Sequence, residues 1–126
     1  MPATGQPLKE LILSVCNTLK ASEVSYREYL AEGKTFRYAL ELKKYNGRIT
    51  SLLSLQMQLL PASLQQDAAA LLVHYTAWTK KWEELATERN PGPDDEFVFA
   101  NEVTFPRQAA IHFEEAYAAL VAEMES

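Results

Sequence analysis

Apolar side chains recur along this chain in two rhythms. From Leu64 to Leu85, Leu64, Ala68, Leu71, Tyr75, Trp78, Trp82 and Leu85 fall at alternating spacings of four and three, the seam of an α-helix lying in a bundle. Three more stretches carry the same rhythm. Leu8, Ile12, Val15, Leu19, Ser22, Tyr26 and Tyr29 form one seam, flanked by Leu11, Cys16 and Leu30, with Pro7 near its start and Gly33 past its end; it predicts a helix over about 7–32. Tyr38, Leu42, Tyr45, Ile49, Leu52, Gln56 and Leu59 form another, predicting a helix over about 35–60 with Thr35 as its cap. Ala110, Phe113, Tyr117, Leu120 and Met124 form the last, over about 106–124, opened by Pro106.

Between these seams the breaks have physical causes. Leu60-Pro61-Ala62-Ser63 makes a short corner, with Ser63 and Gln66 spaced as a capping box for the third helix, about 63–89. Pro91-Gly92-Pro93 cannot continue that helix. Asn46-Gly47 is ordinarily a turn signal, yet the stripe keeps its phase across it. A glycine inside a helix costs only ~1 kcal/mol, whereas misplacing Ile49, Leu52 and Leu59 forfeits roughly 1.5 to 3 kcal/mol each, so one continuous helix bent at Gly47 is expected.

The second rhythm belongs to one segment. In 94–105, Phe97, Phe99, Asn101, Val103 and Phe105 alternate with Val98, Ala100, Glu102 and Thr104, a strand period in a chain with no other strand to pair with. An ordered cover lying on the bundle is expected there, extended or with a turn of helix around 97–101. Short corners force neighbouring helices to run antiparallel. The whole pattern predicts an all-α fold over 1–126, a single-domain antiparallel up-down-up-down four-helix bundle with a long ordered connection between helices three and four.

Composition narrows the partners. Twelve basic residues against 17 acidic ones give a net charge of -5, a field that repels nucleic acid and anionic membrane and makes a nucleic-acid role unlikely. Cys16 stands alone and within an apolar pattern, so no intrachain disulfide is expected and a reducing compartment fits. No basic residue precedes an apolar run in MPATGQP, and no stretch has the ~20 apolar residues of a membrane span, so a cytoplasmic protein without a membrane partner is expected.

Chemistry-bearing motifs are sparse. Leu71 and Ala109 stand three residues before His74 and His112, where a di-iron bundle needs glutamates, and His112 with Glu115 supplies only two ligands, so no metal site is expected. Neither histidine has the basic residue and glycine one turn away that a phosphotransfer bundle needs, and Glu114 and Glu115 oppose a phosphoryl group. The four glycines are scattered and cradle no phosphate, so no cofactor and no catalytic residue is expected.

Chain direction sorts the expected core into two ends. Leu8, Leu11, Ile12, Val15, Leu52, Leu59, Leu60, Leu64, Leu71, Leu72, Leu120, Val121 and Met124 gather at an aliphatic end. Tyr26, Tyr29, Phe36, Tyr38, Trp78, Trp82, His112 and Phe113 gather at an aromatic end, under the cover with Phe97 and Phe99. Rings at helical spacing are most simply core. As a site, Tyr26, Tyr29, Tyr38, Trp78, Trp82, Phe97, Phe99, His112 and Phe113 would form a binding surface, since Tyr and Trp combine contact area with a polar tip. Lys34, Arg37, Lys44 and Arg48, with Lys43, place five of the 12 basic residues beside the first half of helix two, while eight acids and one base follow from Asp94. That asymmetry suits docking of an acidic protein or head-to-tail self-association. A non-catalytic interaction or adaptor module binding a protein partner or itself, as a homodimer, is the leading expectation; a small-molecule binder or enzyme using the same aromatic mouth is the alternative.

Overall fold

Four helices form where the seams predict them. The computed structural model describes the backbone of residues 5–101 and 103–125 and the side chains of residues 6–101 and 103–123. Helix α1 spans Gly5–Ala31, α2 Phe36–Gln56, α3 Ala62–Arg89 and α4 Arg107–Glu125. A 3₁₀ turn, Met57–Leu59, replaces the expected last α-turn of α2. Met1–Thr4, Glu102 of the cover, and the side chain of Met124 on the fourth seam lie outside the described residues.

The helix ends use backbone more than side chains. Gly33, at φ 84, takes the left-handed position after α1 that glycine adopts without steric cost, and the Lys34 N–H closes the helix on the Tyr29 carbonyl at 2.8 Å, the six-to-one bond of a Schellman motif. Thr35 occupies the cap position of α2, but its hydroxyl caps nothing. The first amides of α2 find acceptors elsewhere: Phe36 donates to the Asp95 carbonyl at 2.8 Å and Arg37 to the Pro93 carbonyl at 2.9 Å. The connection after α3 therefore caps α2. The expected Ser63–Gln66 capping box does not form, because α3 starts at Ala62 with Pro61 as its cap and so takes Ser63 inside the helix. Gln65 instead reaches back to the Leu60 carbonyl at 2.8 Å.

Helix α2 runs unbroken through Asn46-Gly47. Asn46 is 4 % exposed, and its amide oxygen accepts a hydrogen bond from Ser22 of α1. Ser22 also bonds Tyr75 of α3, whose phenol burial pushes up to about 12. A turn-forming asparagine is thus held in a helix by a buried polar contact among three helices.

Side-chain contacts tie each helix to the next. Ser22 meets Asn46 across α1 and α2, the Lys43 ammonium lies 3.2 Å from Glu83 across α2 and α3, and His112 meets Asp67 across α3 and α4. The interior divides into two clusters. Leu11, Ile12, Val15, Ile49, Leu53, Leu60, Leu64, Ala68, Leu71, Tyr75, Ala109 and Phe113 form the larger; Tyr29, Ala39, Trp82, Leu85 and Phe97 form the smaller, with Phe36, Tyr38, Trp78, Ala86 and Phe99 packed against it.

Residues 96–101, outside any helix, form a strap over the second half of α3. Among the described residues its one bridge, Thr35 with Glu96, is too little to make a sheet. The alternation has another cause. Phe97 packs on Trp82 at 5.3 Å, Phe99 on Trp78 at 5.7 Å, and Asn101 bonds His74 at 3.3 Å. Two extended residues advance ~6.6 Å and four helical residues ~6 Å, so a period of two on the strap meets a period of four on the helix.

This path corrects the expected position of α4. The strap uses up the second half of α3, so α4 begins beside its middle, where Phe105 packs on Tyr75 at 6.3 Å. His112 and Phe113 accordingly belong to the aliphatic half rather than the aromatic end.

Candidate functional site

Six of the expected site residues come together. Tyr26, Tyr29, Trp78, Trp82, Phe97 and Phe99 line one cavity of about 110 Å³, joined by Leu30, Lys34, Ala39, Leu42 and Val98. Their positions follow from the elements that carry them. Tyr26, Tyr29 and Leu30 share the last turns of α1, Trp78 and Trp82 stand four apart on α3, and Phe97 and Phe99 point inward from the strap where Val98 points out.

The cluster is built on Phe97, 0 % exposed. Phe36 meets its ring edge-on at 5.1 Å, Trp82 at 5.3 Å and Phe99 at 5.9 Å, while Phe36 stacks on Trp82 at 5.4 Å. Hydrogen bonds fix the strap over these rings. The Tyr29 hydroxyl donates to the Phe97 carbonyl, the Phe97 N–H to the Lys34 carbonyl at 2.8 Å, and Arg89 to the Val98 carbonyl at 3.1 Å. Lys34 accepts that bond from a left-handed backbone, φ 57, which lysine adopts only at a cost of about 1–2 kcal/mol. Outside the cluster, the Lys43 ammonium covers the Trp82 ring at 4.6 Å.

The site's electrostatics suit contact rather than proton transfer. The titratable groups in its lining are Tyr26, Tyr29 and Lys34. Burial, then the neighbouring Tyr26 and Glu96, raises the Tyr29 phenol above its ordinary value, so it stays protonated near neutral pH. Trp82 is 4 % exposed, and neither its indole nitrogen nor the buried Thr79 hydroxyl has a partner among the described residues. Such a buried group costs about 1–3 kcal/mol.

The remaining predicted residues lie apart. Tyr38 packs on the aromatic cluster but faces a separate groove of about 420 Å³ between α1 and α2, shared with Val24, Ser25 and Tyr45. His112 places Nδ1 2.9 Å from Asp67 and Nε2 3.2 Å from the Gln108 amide, at the surface between α3 and α4. Phe113 is buried in the larger core cluster. The basic residues have different immediate neighbours: Lys34 stands at the cavity mouth, Arg37 pairs with Asp94 at 2.9 Å, and Lys44 and Arg48 lie over the Tyr45 ring at 5.5 and 5.6 Å.

The periodicity left out Leu30 and Val98 as site residues because each faces away from its own seam. A second unforeseen feature is the latch at the far end of the strap, where His74 Nδ1 lies 3.0 Å from the Val103 carbonyl and the Asn101 amide donates to the His74 carbonyl at 3.3 Å. Burial pushes the Cys16 thiol up to about 12, aided by Glu114, which leaves it a weak nucleophile. Among the described residues no three His, Cys, Asp or Glu side chains could hold a metal ion, and no helix is long and apolar enough to cross a membrane. No protein-family model, curated protein or solved structure matches the chain.

Proposed function

We propose that this chain is a non-catalytic interaction module that docks a partner protein, or a second copy of itself, through the aromatic end of the bundle. The rim of the cavity carries this reading. Tyr26, Leu30 and Val98, which are 49, 44 and 40 % exposed, reach it from two different elements and face solvent around one mouth. Their apolar area is what a docking partner would cover, with the Tyr26 hydroxyl and Lys34 as polar edge. The space behind them, about 110 Å³, is well below the ~300–1,000 Å³ of pockets that enclose larger metabolites, which favours contact over engulfment. Lys34 and Arg37 at this end suit a partner with acidic groups around an apolar centre. The half-buried lone thiol of Cys16 fits a cytoplasmic protein.

Photo-crosslinking side chains placed at Leu30 and Val98, with one at Val73 of α3 as a control outside the mouth, test the proposal in native lysate and with purified protein at rising concentration. Val73 is 58 % exposed, so exposure alone favours it. Discrete protein adducts from Leu30 and Val98 but not from Val73 are expected, and adduct mass separates self-association from a foreign partner. Equal labelling at all three positions, or no protein adduct from the mouth, overturns it.

A further inference from the structure

We infer that the groove between α1 and α2 is a self-association surface, where α1 of a second copy of this chain lies antiparallel to its own α1 across a two-fold axis at Val24. This face is separate from the aromatic mouth and does not rest on the docking proposed there. Lys20, Ala21, Val24 and Glu28 of α1 line one wall and Tyr38 and Tyr45 of α2 the other, around a space of about 420 Å³. The four α1 positions follow helical spacing and make a single stripe ~12 Å long. Val24, at its centre, is 49 % exposed, and Ala21 beside it is small enough for a second helix to approach closely.

Charge placement selects the occupant. Lys20 and Glu28 are both exposed and stand four residues before and four residues after Val24, ~6 Å to either side along the helix. A two-fold axis at Val24 that reverses the helix sets Lys20 against the partner's Glu28 and Glu28 against the partner's Lys20, with Val24 on its own counterpart. A parallel pairing would set like charges together. Among the described residues neither Lys20 nor Glu28 forms an ion pair within the chain, whereas the adjacent Glu23 and Arg27 are already paired with each other. Lying ~12 Å apart on one helix, Lys20 and Glu28 are too distant to pair within one copy, and a reversed second copy supplies both partners at once. By the same symmetry each copy's α1 fills the other's groove, flanked by the Tyr38 and Tyr45 rings, which combine contact area with a polar tip.

Sedimentation of the full chain over a wide range of concentration tests this. A reversible monomer–dimer equilibrium is expected for the wild type. Lys20→Glu and Glu28→Lys each turn two attractive pairs into two repulsive ones, so each should weaken the dimer by about tenfold. Both reversals in one chain restore the pairs with their signs exchanged, and that variant should dimerise as the wild type does. An equimolar mixture of the two single variants should form a mixed dimer although neither pairs well with itself. That mixture, made from the same two proteins, separates lost charge pairing from lost folding. A monomer at every concentration, as a groove that seats a small molecule or a foreign protein would give, overturns the inference. So does a dimer that ignores both reversals, or one that neither the double variant nor the mixture recovers, since the mouth or another face would then hold it.

Discussion

The two halves of the bundle fill their interiors with different material. Around Leu11, Val15, Ile49, Leu53, Leu71 and Phe113 four helices meet, and most of the core is aliphatic. Around Tyr29, Trp82, Leu85 and Phe97 three helices meet a strap, and most of the core is rings. A packed helix presents roughly three or four apolar side chains per two turns of ~5.4 Å each, whereas an extended chain presents one inward side chain per ~6.6 Å. The strap thus brings about half as many side chains to the same length of α3, and each must be large. Phe97 and Phe99 supply that volume, and Trp78 and Trp82 reach out to meet them. Rings gathered under a strap are a packing requirement before they are a site. Exposure at Tyr26, Leu30 and Val98 is not, since covering α3 needs none of it.

The largest expected effects come from removing one ring in each half. Phe97 and Phe113 are each 0 % exposed, so Phe97→Ala and Phe113→Ala should each cost about 3–5 kcal/mol. Both tryptophans belong to the strap half, so their emission follows that half while far-ultraviolet circular dichroism follows all four helices. In Phe97→Ala the emission transition should come at lower denaturant than the loss of helicity, because the strap can leave α3 while the helices persist. In Phe113→Ala emission should not lead. Coincident transitions in Phe97→Ala would make the two halves one cooperative unit and remove the basis for treating them separately.

Periodicity made the helices legible because each seam is long and unbroken. The aromatic cluster was legible in six of its residues for the same reason. His112 and Phe113 were misplaced by an assumption about length: the fourth helix was set opposite the end of the third, although Phe97, Phe99 and Asn101 of the strap first run along half of α3. The phenylalanine alternation pointed to an ordered cover, extended or with a turn of helix, and Phe97 and Phe99 lie against Trp82 and Trp78. Its match to a four-residue helical step depends on which helix it lies against, which no local pattern states. Leu30 and Val98 escaped for a related reason, since an off-seam apolar residue becomes a site only beside another one. The side-chain caps assigned to Thr35 and Ser63 failed because backbone carbonyls from distant residues, or a shifted helix start, took their place.

A smaller effect is expected where the strap ends. His74 is half-buried against Asn101, Val103 and the Phe105 ring, and burial lowers its pKa below the ordinary 6.5, against the raising influence of the Val103 and Thr104 backbone. A histidine with a depressed folded-state pKa takes up protons more readily when unfolded. Its contribution is therefore intact above pH 6.5 and lost as pH falls through the lower folded-state value. Thermal melts followed by tryptophan emission should lose stability in that window more steeply for the wild type than for His74→Gln. Parallel pH profiles would mean that the latch does not hold the strap on α3.

The smallest effect tests the seam that joins the halves. Helix α2 crosses from one cluster to the other, and Gly47 lies in it next to Asn46, in a helical backbone where an added Cβ would meet nothing within 4 Å. Neither packing nor a left-handed backbone requires glycine there. Alanine at this position removes the conformational freedom that glycine has in the unfolded chain and clashes with nothing, so Gly47→Ala should stabilise the protein by up to about 1 kcal/mol. That corresponds to a rise of roughly 3–5 °C in Tm for a domain of this size. Emission and circular dichroism should rise together, because the helix belongs to both clusters. A fall in Tm would mean that α2 bends at Gly47 as the protein works, and that the two halves move against each other about that point.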